Sequence, residues 1–190
     1  MEPNEIVEEI FSLYENYGKS DYIGEPVSQI EHMCQAAQLA ESEGYDEELI
    51  LAAFFHDIGH LCEYIMPVDM MEGVGVMDHE GIGYDYLIKR GFSERIATLV
   101  RSHVEAKRFL TFKYPEYYNK LSEASKITLE HQGGVMNADE AHAFETDPMF
   151  GYYIKMREWD DKAKEINLPL PDLSKYKQMA LDHLLKQTNK

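Results

Sequence analysis

Apolar and polar positions alternate along this chain with a helical period almost throughout. Ile6, Ile10, Phe11, Tyr14 and Tyr17 recur at helical spacing and stop at Gly18, which predicts a helix over 4–17 closed by a residue suited to the position past a helix end. Ser28 followed by Glu31 has the form of a capping box, opening an apolar face through Cys34, Ala37 and Leu39 that lasts to Gly44. Asp46 caps the next run, LILAAFFHDIG, a predicted helix that Gly59 ends, leaving His60 to turn away from it. Between 63 and 77 the period lapses and Pro67, Gly73 and Gly75 intervene; a connecting loop of that length is often functional. Periodic faces resume and predict helices at 78–90, 93–109, 122–132, 137–145, 148–165 and 173–187. There is no repeat, low-complexity tract or Pro/Gly-rich linker to divide them. The predicted fold class is all-α, a single-domain helical bundle spanning 1–190.

Composition narrows the function. A chain of 190 residues with 44% hydrophobic and 12% aromatic side chains is long and apolar enough to bury a core with a site inside it. Its 35 acidic and 18 basic residues give a formal net charge of −17 with no basic cluster, which predicts no nucleic-acid partner and no attachment to anionic membranes. The opening MEPNEIVEEIF has neither the basic start nor the apolar stretch of a signal peptide, and no run approaches a membrane span, so the expected location is the cytoplasm. Cys34 and Cys62 are too few for a disulfide framework and fall in apolar surroundings; reduced thiols in or near the core are expected.

The chemistry lies in the histidines. His32, His56, His60, His79 and His103 all fall where a helix face or end would turn them inward. His103 continues the stripe of Ile96 and Val100. Any one of them could be a hydrogen-bonded core histidine. Together they suggest transition-metal ligands, because neutral imidazole is the commonest such ligand and carboxylates complete these sites. Asp57, beside His56 at a helix end, offers a carboxylate able to bridge.

His32, the His56-Asp57 doublet within HDIGH, and the distant Asp160 resemble the HD-domain superfamily, an all-α metal-dependent fold. The resemblance implies one metal held by those four residues. His79 and His103 resemble the additional pair of the two-metal subgroup that includes mixed-valent diiron oxygenases; it implies a second metal held by His79, His103 and a bridging Asp57. The implied cofactors are two iron ions, Fe(II)/Fe(III), with dioxygen as co-substrate. DYIGEP at 21–26, GFSER at 91–95, HVEAKR, SEASKITLEHQGG and REWD narrow the likeness to the phosphonate-cleaving oxygenases of the PhnZ type, over nearly the whole chain. In that family Tyr22 and Glu25 would form a gate that yields to substrate, His60 would assist at the active site, and Lys107, Ser125, Thr128, Gln132 and Arg157 would hold the phosphonate.

Spacing supports part of this shell independently. Lys107 lies one turn beyond His103, and Arg157 three residues before Asp160, so each cation shares a face with a proposed ligand. Ser125, Thr128 and Gln132 form an uncharged polar stripe opposite Glu123, Lys126 and Glu130. Surface decoration, and salt bridges to the many carboxylates, are the competing explanations. The reaction implied is oxidative cleavage of a small 1-hydroxyphosphonate to phosphate and a carboxylic acid: glycine from 2-amino-1-hydroxyethylphosphonate, glycine betaine from its trimethylated relative. Tyr152, Tyr153 and Trp159 are available for a cation-π contact with the latter. The residues also leave open a metal-dependent phosphohydrolase or phosphodiesterase, an inositol-oxygenase-like enzyme cleaving a carbon-carbon bond, and a metal-sensing or interaction domain.

Overall fold

The computed structural model describes residues 1–22, 24–71 and 73–188. Ile23 of DYIGEP, Glu72 of the predicted loop and 189–190 of the predicted domain lie outside the described residues. The local signals for the early helices act as expected. α1 (Pro3–Tyr17) starts at a proline and buries Ile6, Val7, Ile10, Phe11, Leu13 and Tyr14. α2 (Gln29–Ser42) opens on the Ser28/Glu31 capping box, in which the Glu31 carboxylate accepts from Ser28 N at 2.7 Å. α3 (Glu47–Phe55) is capped by Asp46, whose Oδ1 accepts from Glu48 N and Leu49 N at 3.0 and 3.1 Å. Every residue of α3 from Leu49 to Phe55 is buried, so this short helix is the axis of the bundle.

The predicted helix to Gly59 is corrected here. α3 stops at Phe55, Asp57 leaves helical geometry (φ −106°, ψ 14°), and a second short helix, α4 (Ile58–Leu61), follows. Periodicity could not reveal the break, because Phe54 and Phe55 before it and Ile58 and Leu61 after it are all buried, as an unbroken buried helix would bury them. Gly59 therefore does not end a helix. It is needed because a Cβ there would lie 1.9 Å from the His79 carbonyl oxygen.

Within 63–77, a two-stranded antiparallel ribbon pairs β1 (Met70–Met71) with β2 (Gly75–Val76). α5 (His79–Ile88) and the long α6 (Glu94–Lys113) follow, then the single turn α7 (Pro115–Tyr118), which was not predicted, then α8 (Glu123–His131) and α9 (Ala138–Glu145). α6 runs four residues beyond the predicted end. α10 (Phe150–Lys162) is shorter than the predicted 148–165, and α11 (Ser174–Thr188) closes the described chain. α6 packs against α10, α5 and α3, while α2 packs against α3 and α10. The core joins Phe11, Tyr14, Phe54, Phe55 and Tyr176, with Trp159 fully buried against Tyr45. Cys34 and Cys62 are buried free thiols, and burial pushes both up to about 12. Among the described residues no helix is long and apolar enough to cross a membrane.

Candidate metal centre

Five elements deliver side chains to one buried point. His32 comes from α2, His56 and Asp57 from the break after α3, His79 from the first position of α5, His103 from α6 and Asp160 from α10. All six are at most 5% exposed. His32 Nε2 stands 3.0 Å from His56 Nε2, 3.5 Å from Asp57 Oδ2 and 3.3 Å from Asp160 Oδ1, and His56 Nε2 is 3.4 Å from Asp57 Oδ2. On the other side of the same carboxylate, Asp57 Oδ1 is 3.3 Å from both His79 Nε2 and His103 Nε2, which are 3.1 Å apart. The two oxygens of Asp57 thus face two separate sets of nitrogens.

Tautomers show what these sets require. His32 Nδ1 donates to Ala163 O at 2.8 Å, His56 Nδ1 to Ala53 O at 2.8 Å and His103 Nδ1 to Val100 O at 2.6 Å. A carbonyl can only accept, so each Nδ1 carries its proton and each neutral ring presents a lone pair at Nε2. Lone pairs 3.0 Å apart repel unless a cation lies between them. Asp57 Oδ2, buried among them, has no hydrogen-bond partner. Against burial, the Asp57 and Asp160 carboxylates raise His56 to about 9, so the site favours a positive charge at Nε2, which a metal ion would supply to the neutral ring in place of a proton. Burial also opposes the ionised form of Asp57, yet the positive charge favoured at His56, with the His103 and His79 rings close by, holds it well below the usual range. Arg157 does the same for Asp160. Ligand atoms about 2.1 Å from one ion and at right angles are about 3 Å apart. The spacing, the nitrogen-plus-carboxylate donor set and the orphaned oxygen therefore fit two transition-metal ions bridged by Asp57.

His60 differs from the other rings. On α4 it stacks on His79 at 4.1 Å, and its Nδ1 accepts from Val76 N of β2 at 3.2 Å. Gly75 makes this close approach to the ribbon feasible, since a Cβ there would lie 2.7 Å from His60 Cε1. Burial first and His79 second push His60 down to about 3. It is therefore a neutral ring with its proton on Nε2.

A cavity of about 580 Å³, its mouth included, opens beside the cluster; Asp57, His79, His103 and Asp160 line it, while His32 and His56 do not. Lys107, Ser125, Thr128, Gln132, Arg157, His60, Tyr22 and Glu25 line it as well. Lys107 is 3% exposed and donates to Thr128 Oγ1 at 2.9 Å. Among the described residues no carboxylate forms an ion pair with it. Burial, then the neighbouring Arg157, lower it to about 7. Gln132 Oε1 is buried without a partner. Lys126, by contrast, pairs with Glu123 on the outer face.

Other features lay beyond the sequence reading. The Arg157 guanidinium is committed to Asp160 at 2.7 Å, Asp161 at 2.5 Å and the Tyr117 hydroxyl at 2.8 Å, so it braces a cluster carboxylate while lining the cavity. Glu25 pairs with Lys164 at 2.6 Å. Tyr22 stacks on the His32 ring at 4.1 Å, and burial followed by the charges of Asp57 and Asp160 holds its phenol well above its usual value. The loop carrying both is seated by Gly24 (φ +78°), where a Cβ would lie 2.7 Å from Ala124 Cβ. Tyr117, Asp161 and Lys164 carried no sequence signal because charged and tyrosine residues in so acidic a chain read as surface. Tyr153 packs on Phe144 and Trp159 on Tyr45, while Tyr152 is 38% exposed. None of the three lines the cavity.

Comparison with known proteins adds lineage to this geometry. A family model described as the HD domain matches residues 30–156. The protein L432 of Acanthamoeba polyphaga mimivirus is 46% identical over 183 residues, covering 96% of this chain and 84% of the relative. A [1-hydroxy-2-(trimethylamino)ethyl]phosphonate dioxygenase (glycine-betaine-forming) of Leisingera caerulea is 40% identical, covering 88% and 84%. A hydroxymethylphosphonate dioxygenase of Gimesia maris is 37% identical, covering 92% and 86%.

Proposed function

This chain belongs to the HD-domain family, and from that membership we propose that it is a dioxygen-dependent two-metal oxygenase cleaving the carbon-phosphorus bond of a small 1-hydroxyphosphonate. The observation that carries the reading is the division of the Asp57 oxygens between two converging sets of histidines, beside a cavity whose wall holds Lys107, which among the described residues pairs with no carboxylate. Two relatives whose names state phosphonate dioxygenase activity support the reaction class.

His32, His56, Asp57 and Asp160 would hold one metal, and Asp57, His79 and His103 the other. The sequence resemblance makes both iron. When bound, the pair supplies activation of dioxygen and a Lewis-acidic anchor for the substrate hydroxyl. The protein supplies the rest. Lys107, with the Thr128 hydroxyl, Ser125 and Gln132, binds the phosphonate oxygens, and Arg157 adds positive charge while fixing Asp160. His60 presents an N–H donor at Nε2 toward bound substrate. Tyr22 and Glu25 cover the cavity from the loop and yield as substrate enters. The balance is R–CH(OH)–PO₃²⁻ + O₂ → R–COO⁻ + HPO₄²⁻ + H⁺. The carbon gives up four electrons, its C–H and C–P bonds break, and phosphorus keeps its oxidation state. 2-Amino-1-hydroxyethylphosphonate and its trimethylated relative, yielding glycine and glycine betaine, are the candidates from the sequence resemblance.

Iron-loaded protein incubated with 1-hydroxyphosphonates under air should release phosphate and the matching carboxylate, and under nitrogen should release neither. Equal phosphate release without oxygen would replace this reading with hydrolysis. His103→Ala should lower bound metal toward one per chain by elemental analysis; retention of both ions would remove His103 from the ligand set.

A further inference from the structure

The cavity wall includes a carboxylate, Glu25, that already has a counter-ion. Glu25 Oε1 and Lys164 Nζ are 2.6 Å apart, with the side chains only 9% and 20% exposed. We propose that Lys164 is a specificity-determining residue: by neutralising Glu25, it directs the site toward hydroxyphosphonates whose carbon skeleton bears no ammonium group. The proposal rests on the carbon-phosphorus cleavage reading and, within that reaction, sets amine-free hydroxyphosphonates in place of the two ammonium-bearing candidates.

Three observations support it. First, Lys164 is held in place. Its neighbour Ala163 accepts from His32 through its carbonyl at 2.8 Å, and Glu165 exchanges backbone hydrogen bonds with the Gln35 amide at 2.8 and 2.9 Å. The backbone carrying Lys164 is thus fastened to α2 on both sides. Second, Glu25 is equally constrained. Its N–H donates to Tyr22 O at 2.9 Å, and Tyr22 N to Val27 O at 3.1 Å, within a loop seated on Ala124. An incoming ammonium would have to expel Lys164 or share its carboxylate, and breaking a largely buried ion pair leaves one charge uncompensated. Third, the cavity offers no aromatic compensation for a quaternary ammonium. Among the described residues lining it, the only non-histidine ring is Tyr22, and one face of that ring is covered by His32.

The test uses a matched pair of ligands differing only by the amino group: (1-hydroxyethyl)phosphonate and 2-amino-1-hydroxyethylphosphonate. Binding to metal-loaded protein is measured calorimetrically under nitrogen, and oxygen-dependent phosphate release is measured separately. The natural chain should bind the ligand without the amino group more tightly, by about ten-fold or more. Lys164→Met, which frees Glu25, should shift the ratio of affinities toward the amine by about ten-fold. Glu25→Gln, which leaves Lys164 unpaired, should shift it the other way. A natural chain that prefers the amine, or a ratio unmoved in both variants, overturns the proposal. Failure of the parent reading is distinct: neither ligand would then yield oxygen-dependent phosphate, while the affinity ratios would still report on Lys164.

Discussion

Gly59 is the residue on which the cluster's geometry turns most sharply. A methyl group there would sit 1.9 Å from the backbone oxygen of His79, so α4 and the start of α5 could no longer approach. Gly59→Ala should destabilise the protein by about 3 kcal/mol, about 6–12 °C in Tm for a chain of this size. It should also weaken metal retention, because the displaced residue is His79. Thermal unfolding of the variant checks this, and a Tm within a degree of the natural protein would contradict the steric argument. Gly75 acts in the same way from the other side, admitting His60 against the ribbon. The two glycines read from the sequence as punctuation are therefore places where backbone and side chain meet too closely for a Cβ. The histidines and Asp57 were legible because imidazoles on apolar faces are unusual. Tyr117 and Asp161, which brace Arg157, were not, since nothing in their spacing separates them from a solvated face.

At the level of elements, the starts of α3 and α6 are stitched by one side chain. Arg95 donates to both oxygens of the α3 cap Asp46 at 3.0 and 2.8 Å and to Glu48 at 2.8 Å, while the α6 cap Ser93 donates to Glu48 at 2.7 Å. Burial pushes the Asp46 and Glu48 carboxyls up, but their hydrogen bonds to Arg95 outweigh it and leave both below the usual range. A depressed carboxyl stabilises the fold above its unfolded value, about 3.9 for Asp and 4.3 for Glu, and the gain vanishes as pH falls through the folded value. Arg95→Ala should therefore cost about 1 kcal/mol near neutrality, with the gap closing below about pH 4. Urea titrations across that range test it, and a gap independent of pH would rule the pairing out as its source. Caps of this kind made most helices readable in advance. The break at His56-Asp57 escaped because a fully buried segment has no polar face to interrupt, and α7 and the ribbon escaped because they are too short to show a period.

As a whole molecule, the protein sets a small cavity that holds Lys107 and Arg157 inside a chain of net charge −17. Bulk acidity repels a dianionic phosphonate at long range, whereas Lys107 and Arg157 attract it only once it is inside. Salt screens the distant charges more than the buried ones. The KM for a phosphonate should thus fall, by about two- to five-fold, between about 10 and 150 mM salt; steady-state kinetics showing a rise would mean the cavity's own field dominates at range. Several contacts of the site that spacing alone does not show meet at the end of α10 and just past it. Arg157 braces Asp160, Asp160 faces His32, Ala163 orients His32, and Lys164 pairs with Glu25. Arg157 and Asp160 lie on one rod that advances about 1.5 Å and turns about 100° per residue, and Ala163 and Lys164 follow directly past its end, where the chain leaves helical geometry. Helix α10 with the two residues after it is in effect a gauge, and its graduations rather than its chemistry align the metal cluster with the loop that carries Glu25. One residue inserted between Asp160 and Lys164 would leave every side chain present and set two ends of the same active site to different scales.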